Sequence, residues 1–145
     1  NKLVEIQICE TRKEYIGQIL ELLHRDLSDF LPPKELFNKI WEEFSSQDNV
    51  YSLVALFEGS VIGYGALIIE TKIRGGKRGH IEDIVADGKY RNKGVGSLIV
   101  NSLFEIAMKK GCYKVALQCK THNLEFYEKC GFSKSGFGMD KFKPK

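Results

Sequence analysis

Arg91-Asn92-Lys93-Gly94-Val95-Gly96-Ser97 is the stretch on which the reading of this chain turns. It is a basic loop punctuated by two glycines, set between a strand-like run and an amphipathic helical one. Gly94 and Gly96 uncover backbone N–H groups, which continue into the unpaired N–H groups opening the next helix, where the helix dipole adds partial positive charge. Arg91 and Lys93 add full charges, so the whole segment, with Asn92, Val95 and Ser97, suits a diphosphate. It is neither common nucleotide signature. No Lys-Ser or Lys-Thr follows the last glycine, and the third glycine of a dinucleotide fingerprint would fall at Ile99. A glycine pair at a helix start also serves as a tight turn or close-packing site, so the neighbouring residues decide.

Composition narrows the classes. The 145 residues, 43% of them hydrophobic, suit a single domain over 1–145 with a genuine core. The net charge of +3 comes from 22 basic and 19 acidic residues that are interspersed, and the sparse Lys141, Lys143 and Lys145 run is the one basic cluster near an end. Without aromatics interleaved on a basic face, this favours small anionic molecules and no nucleic acid. The apolar run over 61–69 is too short for a membrane span, and Asn1-Lys2-Leu3 does not open a secretory leader, so a cytoplasmic protein is expected. Cys9, Cys112, Cys119 and Cys130 form no C-x-x-C pair and have no His at metal spacing, so they read as buried free thiols, with no metal expected.

Along the chain, residues 3–9 set Val4, Ile6 and Ile8 against Leu3, Glu5 and Gln7, the two-residue period of a half-buried strand. Thr11 and Glu14 stand at capping-box spacing ahead of Tyr15, Ile16, Ile19, Leu20, Leu23 and Leu27, which predicts a helix over 12–27. Pro32-Pro33 breaks the chain before a second helix, in which Leu36, Phe37, Ile40, Trp41 and Phe44 recur at helical spacing and Trp41 reads as core packing. Runs over 50–57 and 61–69 around Glu58-Gly59-Ser60 predict a hairpin, with Gly63 and Gly65 marking a bulge or a close backbone approach.

Residues 74–79 read as a basic flexible loop, and 80–86 as a central strand entering the glycine loop. Val95, Leu98, Ile99, Leu103, Ile106 and Ala107 give the next helix its buried face, with Gly111 placed to cap it. A short strand over 115–119, one or two helical turns over 123–129 and an extended segment over 132–142 complete a mixed α/β order. No repeat, low-complexity segment or linker divides it.

Three pieces then line up: His80-Ile81-Glu82-Asp83-Ile84 before the loop, Arg91 to Ser97 within it, and Asn123-x-x-Phe126-Tyr127-x-x-Cys130-Gly131-Phe132 after the next strand. Together they resemble the GNAT superfamily of N-acetyltransferases, with Arg91, Gly94, Gly96, Asn123, Tyr127, Gly131 and Phe132 matching its motifs position for position. The longer strings, including Gly111-Cys112-Tyr113-Lys114, are most similar to the glucosamine 6-phosphate N-acetyltransferases. The resemblance implies an α+β fold: a mixed, mostly antiparallel sheet flanked by helices, with splayed central strands holding acetyl-CoA. It implies that 91–97 bind the pyrophosphate, that Asn123 and Tyr127 line the pantetheine arm and thiol, and that the backbone at Ile84 and Val85 pairs with the coenzyme. It further implies an amino-sugar phosphate as acceptor, a product used in UDP-N-acetylglucosamine synthesis, and a homodimer whose C-terminal strands reach the partner's acceptor site.

The chemistry reads from the residues as well. Acetyl transfer to an amine needs a neutral nucleophile, a polarised thioester carbonyl and help for the departing thiolate. The resemblance makes Glu82 and Asp83 the carboxylates on the acceptor side; without it the pair reads equally well as a solvated strand edge or a salt bridge. As neighbours on a strand they are expected to point to opposite faces, and Glu82 is taken as the acceptor's polar partner. Tyr127 is expected to hydrogen-bond the developing thiolate; Asn123 contacts the pantetheine arm, caps its helix, or does both. By the resemblance, Lys72 meets the sugar phosphate, and Gln118 and Cys119 lie beside the acceptor. Gln118 stands where that subfamily commonly carries an acid, and a neutral amide cannot act as a base. Cys119 and Cys130 have no His at motif spacing and read as packing residues, so transfer is expected to be direct. The alternatives are another small-amine or peptide N-acetyltransferase, or a non-catalytic acyl-CoA-binding module.

Overall fold

A five-stranded sheet in sequential order organises the protein, and the computed structural model describes residues 5–145. Strands β1 (Gln7–Glu10), β2 (Val50–Phe57), β3 (Ser60–Thr71) and β4 (Lys77–Ala86) are antiparallel neighbours, and β5 (Cys112–Ala116) joins β4 in parallel. Helices α1 (Ile16–Asp26) and α2 (Phe37–Ser45) precede β2, α3 (Val95–Lys109) carries the crossover that a parallel pair requires, and α4 (Leu124–Lys129) follows β5. This is the expected mixed, mostly antiparallel architecture. Leu3 and Val4 of the predicted first strand lie outside the described residues.

The sheet is apolar on both faces because both are covered. Leu53, Ala55, Leu67 and Ile81 pack with Ile99, Leu103 and Ala107 of α3, whereas Val54, Leu56, Tyr64, Ala66 and Val85 pack with Ile19 and Leu22 of α1. Gln18 Oε1 accepts the Val61 N–H at 2.9 Å and ties α1 to β3. The hairpin turns on Glu58 and Gly59, both at positive φ (50° and 80°), the pairing that matches strand twist in a two-residue turn.

Gly63 and Gly65 mark a close approach, as read from the sequence. A Cβ on Gly63 would stand 2.7 Å from Val95 and Ile99 side chains, and one on Gly65 would stand 2.5 Å from Ile84 and 2.7 Å from Ile99. Helix α3 therefore lies directly on the β3 backbone. A bulge falls here too, since Ala55 pairs with Gly63 and Leu56 with Val61, leaving Ile62 as the extra residue on β3. A second lies across the next ladder on β4, where Tyr64 pairs with Val85 and Ala66 with Glu82, so Asp83 and Ile84 together face Gly65. Asp83 takes φ 56° to make this bulge.

Several expectations are corrected. Strand β4 starts at Lys77, inside the predicted loop, because Gly79 lets Leu67 and Val115 close over it (2.9 and 3.3 Å from a hypothetical Cβ). Strand β5 runs from Cys112 to Ala116 rather than 115–119: it begins directly after Gly111 (φ 87°) and ends where β4 offers no further partner, at His80↔Ala116. The Thr11 capping box does not form. The Thr11 N–H goes to Ser52 O (3.1 Å) in the sheet, its Oγ1 is buried without a partner among the described residues, and Glu14 pairs with Arg12 at 3.2 Å. The helix opens instead through a 3-10 turn at Lys13–Tyr15. Trp41 is only partly buried, tilted against Phe44 at 6.5 Å, and the segment over 132–142 forms no strand in the single chain, with Phe137, Met139 and Phe142 exposed.

All four cysteines are free, but only Cys112 is buried. Among the described residues, no helix is long and apolar enough to cross a membrane, and no group of three or more His, Cys, Asp or Glu is placed to hold a metal ion.

Overpacking the Gly65 site should lift α3 from the sheet. Gly65→Val is expected to lower stability by about 1–3 kcal/mol in urea unfolding, and an unchanged midpoint would show that the contact is slack.

Candidate active site

Beyond His80 and Ala116 the β4–β5 ladder ends, while β4 runs on through residues 81–86 paired only with β3. Residues 117–120 follow β5 past that point without pairing with β4. Along β4, the edge that faced β5 carries no strand partner among the described residues, so N–H and C=O groups around Ile84 and Val85 are available to an extended ligand.

The bulge decides where the carboxylates point. Glu82 lies opposite Ala66 and therefore on the α1 face, and Asp83 lies close enough to Tyr64, in the same layer, to make its phenol harder to ionise. The expectation of opposite faces is overturned, because the left-handed Asp83 inserts an extra residue and resets the alternation: Ile81 and Ile84 both pack toward α3, and Val85 toward α1. Both carboxylates are exposed. Partial desolvation raises the Asp83 carboxyl above its ordinary value, which makes it a better proton acceptor. Burial pushes the Tyr64 phenol to about 12, against a smaller opposing effect of a hydrogen bond with Ser52.

The glycine loop closes the far end of β4. Asp87 Oδ1 accepts the Lys89 N–H (3.0 Å) to start a 3-10 turn at Gly88–Tyr90, and Arg25 Nη2 reaches Asp87 Oδ2 at 3.2 Å from the end of α1. Asn92 (φ 66°) and Gly94 (φ 75°) are both left-handed, and alternation of this kind turns successive N–H groups toward one concavity. Gly94 then opens the fifteen-residue α3 without a side-chain cap. Gly96 has a different reason: a Cβ there would stand 3.1 Å from Phe126. Arg91, Asn92 and Lys93 are exposed around this anion cradle, Val95 is buried beneath it, and Ser97 Oγ lies 4.0 Å from Cys130 Sγ.

Tyr127 is held between Phe126 and Phe132, with centroids at 4.9 and 6.0 Å, both edge-on. It is 9% exposed, and burial, with nearby Cys119 and Cys130, pushes its phenol to about 12. Asn123 precedes α4 without making a side-chain cap bond, so its exposed amide is free for a ligand. Cys119 is half-buried in the core beside Tyr127. Gln118 is exposed, and its amide lies against Gly138, where any side chain would collide with it.

At the other end of β4, Glu70 Oε1 is shared by Lys72 Nζ (3.1 Å), Arg78 Nη2 (2.9 Å) and His80 Nε2 (2.9 Å). Lys72 is thus tied to Glu70, in company that sequence reading did not find. A recess of about 420 Å³ lined by His24, Arg25, Asp26, Leu27, Ser28, Asp29 and Lys120 was also missed. Only tertiary contact brings Lys120 to the end of α1, and no spacing signals it.

Hydrogen bonds from His80 and Lys72 hold the Glu70 carboxyl near 2, well below its ordinary value. Because the folded value is depressed, the cluster should persist as pH falls through the ordinary carboxylate range and be lost only near pH 2. A side-chain carbon NMR titration of Glu70 is expected to show this, and a midpoint near 4.5 would mean that the contacts do not hold in solution.

The profile of the Acetyltransferase (GNAT) family matches residues 16–132. Glucosamine 6-phosphate N-acetyltransferase of Arabidopsis thaliana is 34% identical over 97% of this chain and 95% of its own, and its Candida albicans counterpart is 35% identical over 87% of each. The crystal structure of the Arabidopsis thaliana enzyme superposes with a TM-score of 0.85 at 35% identity, covering 95% of this chain and 98% of that one. The parted central strands, the N–H cradle at the start of α3 and the buried tyrosine are thus found in a chain that belongs to the GNAT family of acetyltransferases.

Proposed function

We propose that this protein transfers the acetyl group of acetyl-CoA to the amine of D-glucosamine 6-phosphate by direct attack, giving N-acetyl-D-glucosamine 6-phosphate for UDP-N-acetylglucosamine synthesis. The observation that carries the acceptor is a single strand face. Arg78, His80 and Glu82 stand two residues apart opposite Glu70, Ile68 and Ala66, so cations and carboxylates line one track. Such a track suits a small molecule that is anionic at one end and carries an amine at the other. The extent of the likeness to glucosamine 6-phosphate N-acetyltransferases supports the same acceptor.

Acetyl-CoA supplies an activated thioester. The N–H groups of 92–97 with Arg91 and Lys93 fit its diphosphate, and the free β4 edge at Ile84 and Val85 fits its amide-bearing arm, alongside Asn123. The acceptor amine must lose a proton, and Glu82 and Asp83 stand on the acceptor face to take it, directly or through water. Gln118, turned toward Gly138, is not needed as a base.

For the leaving group, Tyr127 is the donor in place. With its phenol near 12 and an ordinary thiol near 8.5, full proton transfer to the thiolate is uphill by roughly 5 kcal/mol. A hydrogen bond from Tyr127 that strengthens as charge develops on sulfur avoids this cost. The exposed Phe137, Met139 and Phe142 support a homodimer in which the C-terminal segment packs on the partner near its acceptor site.

CoA release from acetyl-CoA tests the reading. Glucosamine 6-phosphate is expected to support turnover with kcat/KM at least tenfold above that of glucosamine. Release with peptides or polyamines but not with glucosamine 6-phosphate would assign another acceptor, and acetyl-CoA binding without turnover would leave a binding module.

A further inference from the structure

The Glu70 cluster is not explained by stability. Glu70 and Lys72 side chains are each 39% exposed, and ion pairs at such exposure contribute little to folding. Yet three basic side chains, two from β4 and one from the turn after β3, converge on one carboxylate oxygen, within 3.1 Å. Arg78 Nε also donates to that oxygen at 2.9 Å and lies 3.2 Å from His80 Nε2. His80 Nε2 at 2.9 Å from the carboxylate must carry the proton and donate it, which assigns this tautomer and leaves Arg78 donating to Glu70 rather than to the ring.

The chain otherwise has reason to scatter these groups. Lys72 follows the end of β3, Arg78 and His80 are on β4, and like charges this close repel unless an anion lies between them. Glu70 is that anion. It draws Lys72 and Arg78 to the head of the track that leads through His80 to Glu82, and a strand rises about 3.4 Å per residue, so each step along the track is about 7 Å.

We infer that Glu70 is a positioning residue for the acceptor: by holding Lys72, Arg78 and His80 on one carboxylate oxygen, it fixes the cations that recognise the phosphate and so sets the preference for a phosphorylated over an unphosphorylated amino sugar. This role rests on the acceptor proposed above. Glu70 itself does not touch the reacting atoms. Its carboxylate opposes the phosphate's charge, but Lys72 and Arg78 would lie between the two anions and offset that repulsion.

The test compares wild type, Glu70→Gln, Lys72→Ala and the double variant at 0.15 M salt, with kcat and KM measured for glucosamine 6-phosphate, glucosamine and acetyl-CoA. Glu70→Gln is expected to raise KM for glucosamine 6-phosphate tenfold or more, with kcat within about twofold and KM for acetyl-CoA unchanged, so that the preference over glucosamine collapses. Since Glu70 acts through Lys72 and Arg78, the double variant should lose less than the product of the two single losses. A wild-type preference that survives Glu70→Gln, a lowered KM, or a fall in kcat alone would overturn the role of Glu70 while leaving the acceptor standing. A wild-type enzyme with no preference would remove the acceptor assignment and this role with it.

Discussion

Strand β4 loses its β5 partner after His80 while still in the middle of a sheet, and the site is organised around the backbone groups left open there. Buried or half-buried peptide groups need partners, and a strand edge is the surface on which another extended chain pairs most readily. In the proposed reading, the amide-bearing arm of acetyl-CoA would satisfy that requirement. The bulge at Asp83 follows from the same region, since the extra residue bends β4 away and turns Glu82 and Asp83 together to the α1 face. On that reading one strand segment serves both substrates, its open edge taking the donor and its polar face the acceptor.

Rigid packing fixes this geometry. Gly63 and Gly65 bring the start of α3 down onto β3, and Gly96 admits Phe126, so the anion cradle, the bulge and Tyr127 are linked through touching side chains. The electrostatics are then local and modest. In the proposed reading, backbone N–H groups and a helix terminus would meet the diphosphate, burial keeps Tyr127 protonated, and Asp83, its carboxyl raised by desolvation, would accept a proton. No single strongly perturbed group has to carry the reaction, which fits catalysis shared between positioning and charge stabilisation.

Much of this was legible in the residues. The hairpin around Glu58-Gly59, the close approach at Gly63 and Gly65 and the helix after the glycine loop all follow from local pattern, and the structure has them. What local pattern could not carry was competition for backbone partners. Thr11 has capping-box spacing, but its N–H is taken by Ser52 in the sheet, and β5 stops at Ala116 although 117–119 look as strand-like as what precedes them. Two-residue alternation put Glu82 and Asp83 on opposite faces because a bulge has no signal in the two acidic residues themselves. The convergence on Glu70 and the recess between Lys120 and the end of α1 arise from contacts between distant segments and leave no trace in spacing.

Amide hydrogen exchange, followed residue by residue with and without acetyl-CoA, tests most directly the claim that the open β4 edge and the cradle together form the coenzyme's seat. The account predicts that N–H groups in 84–86 and 92–97 slow by about tenfold or more on binding, while those of the β2–β3 ladder change little. Saturation by acetyl-CoA with unchanged exchange at both segments would contradict it.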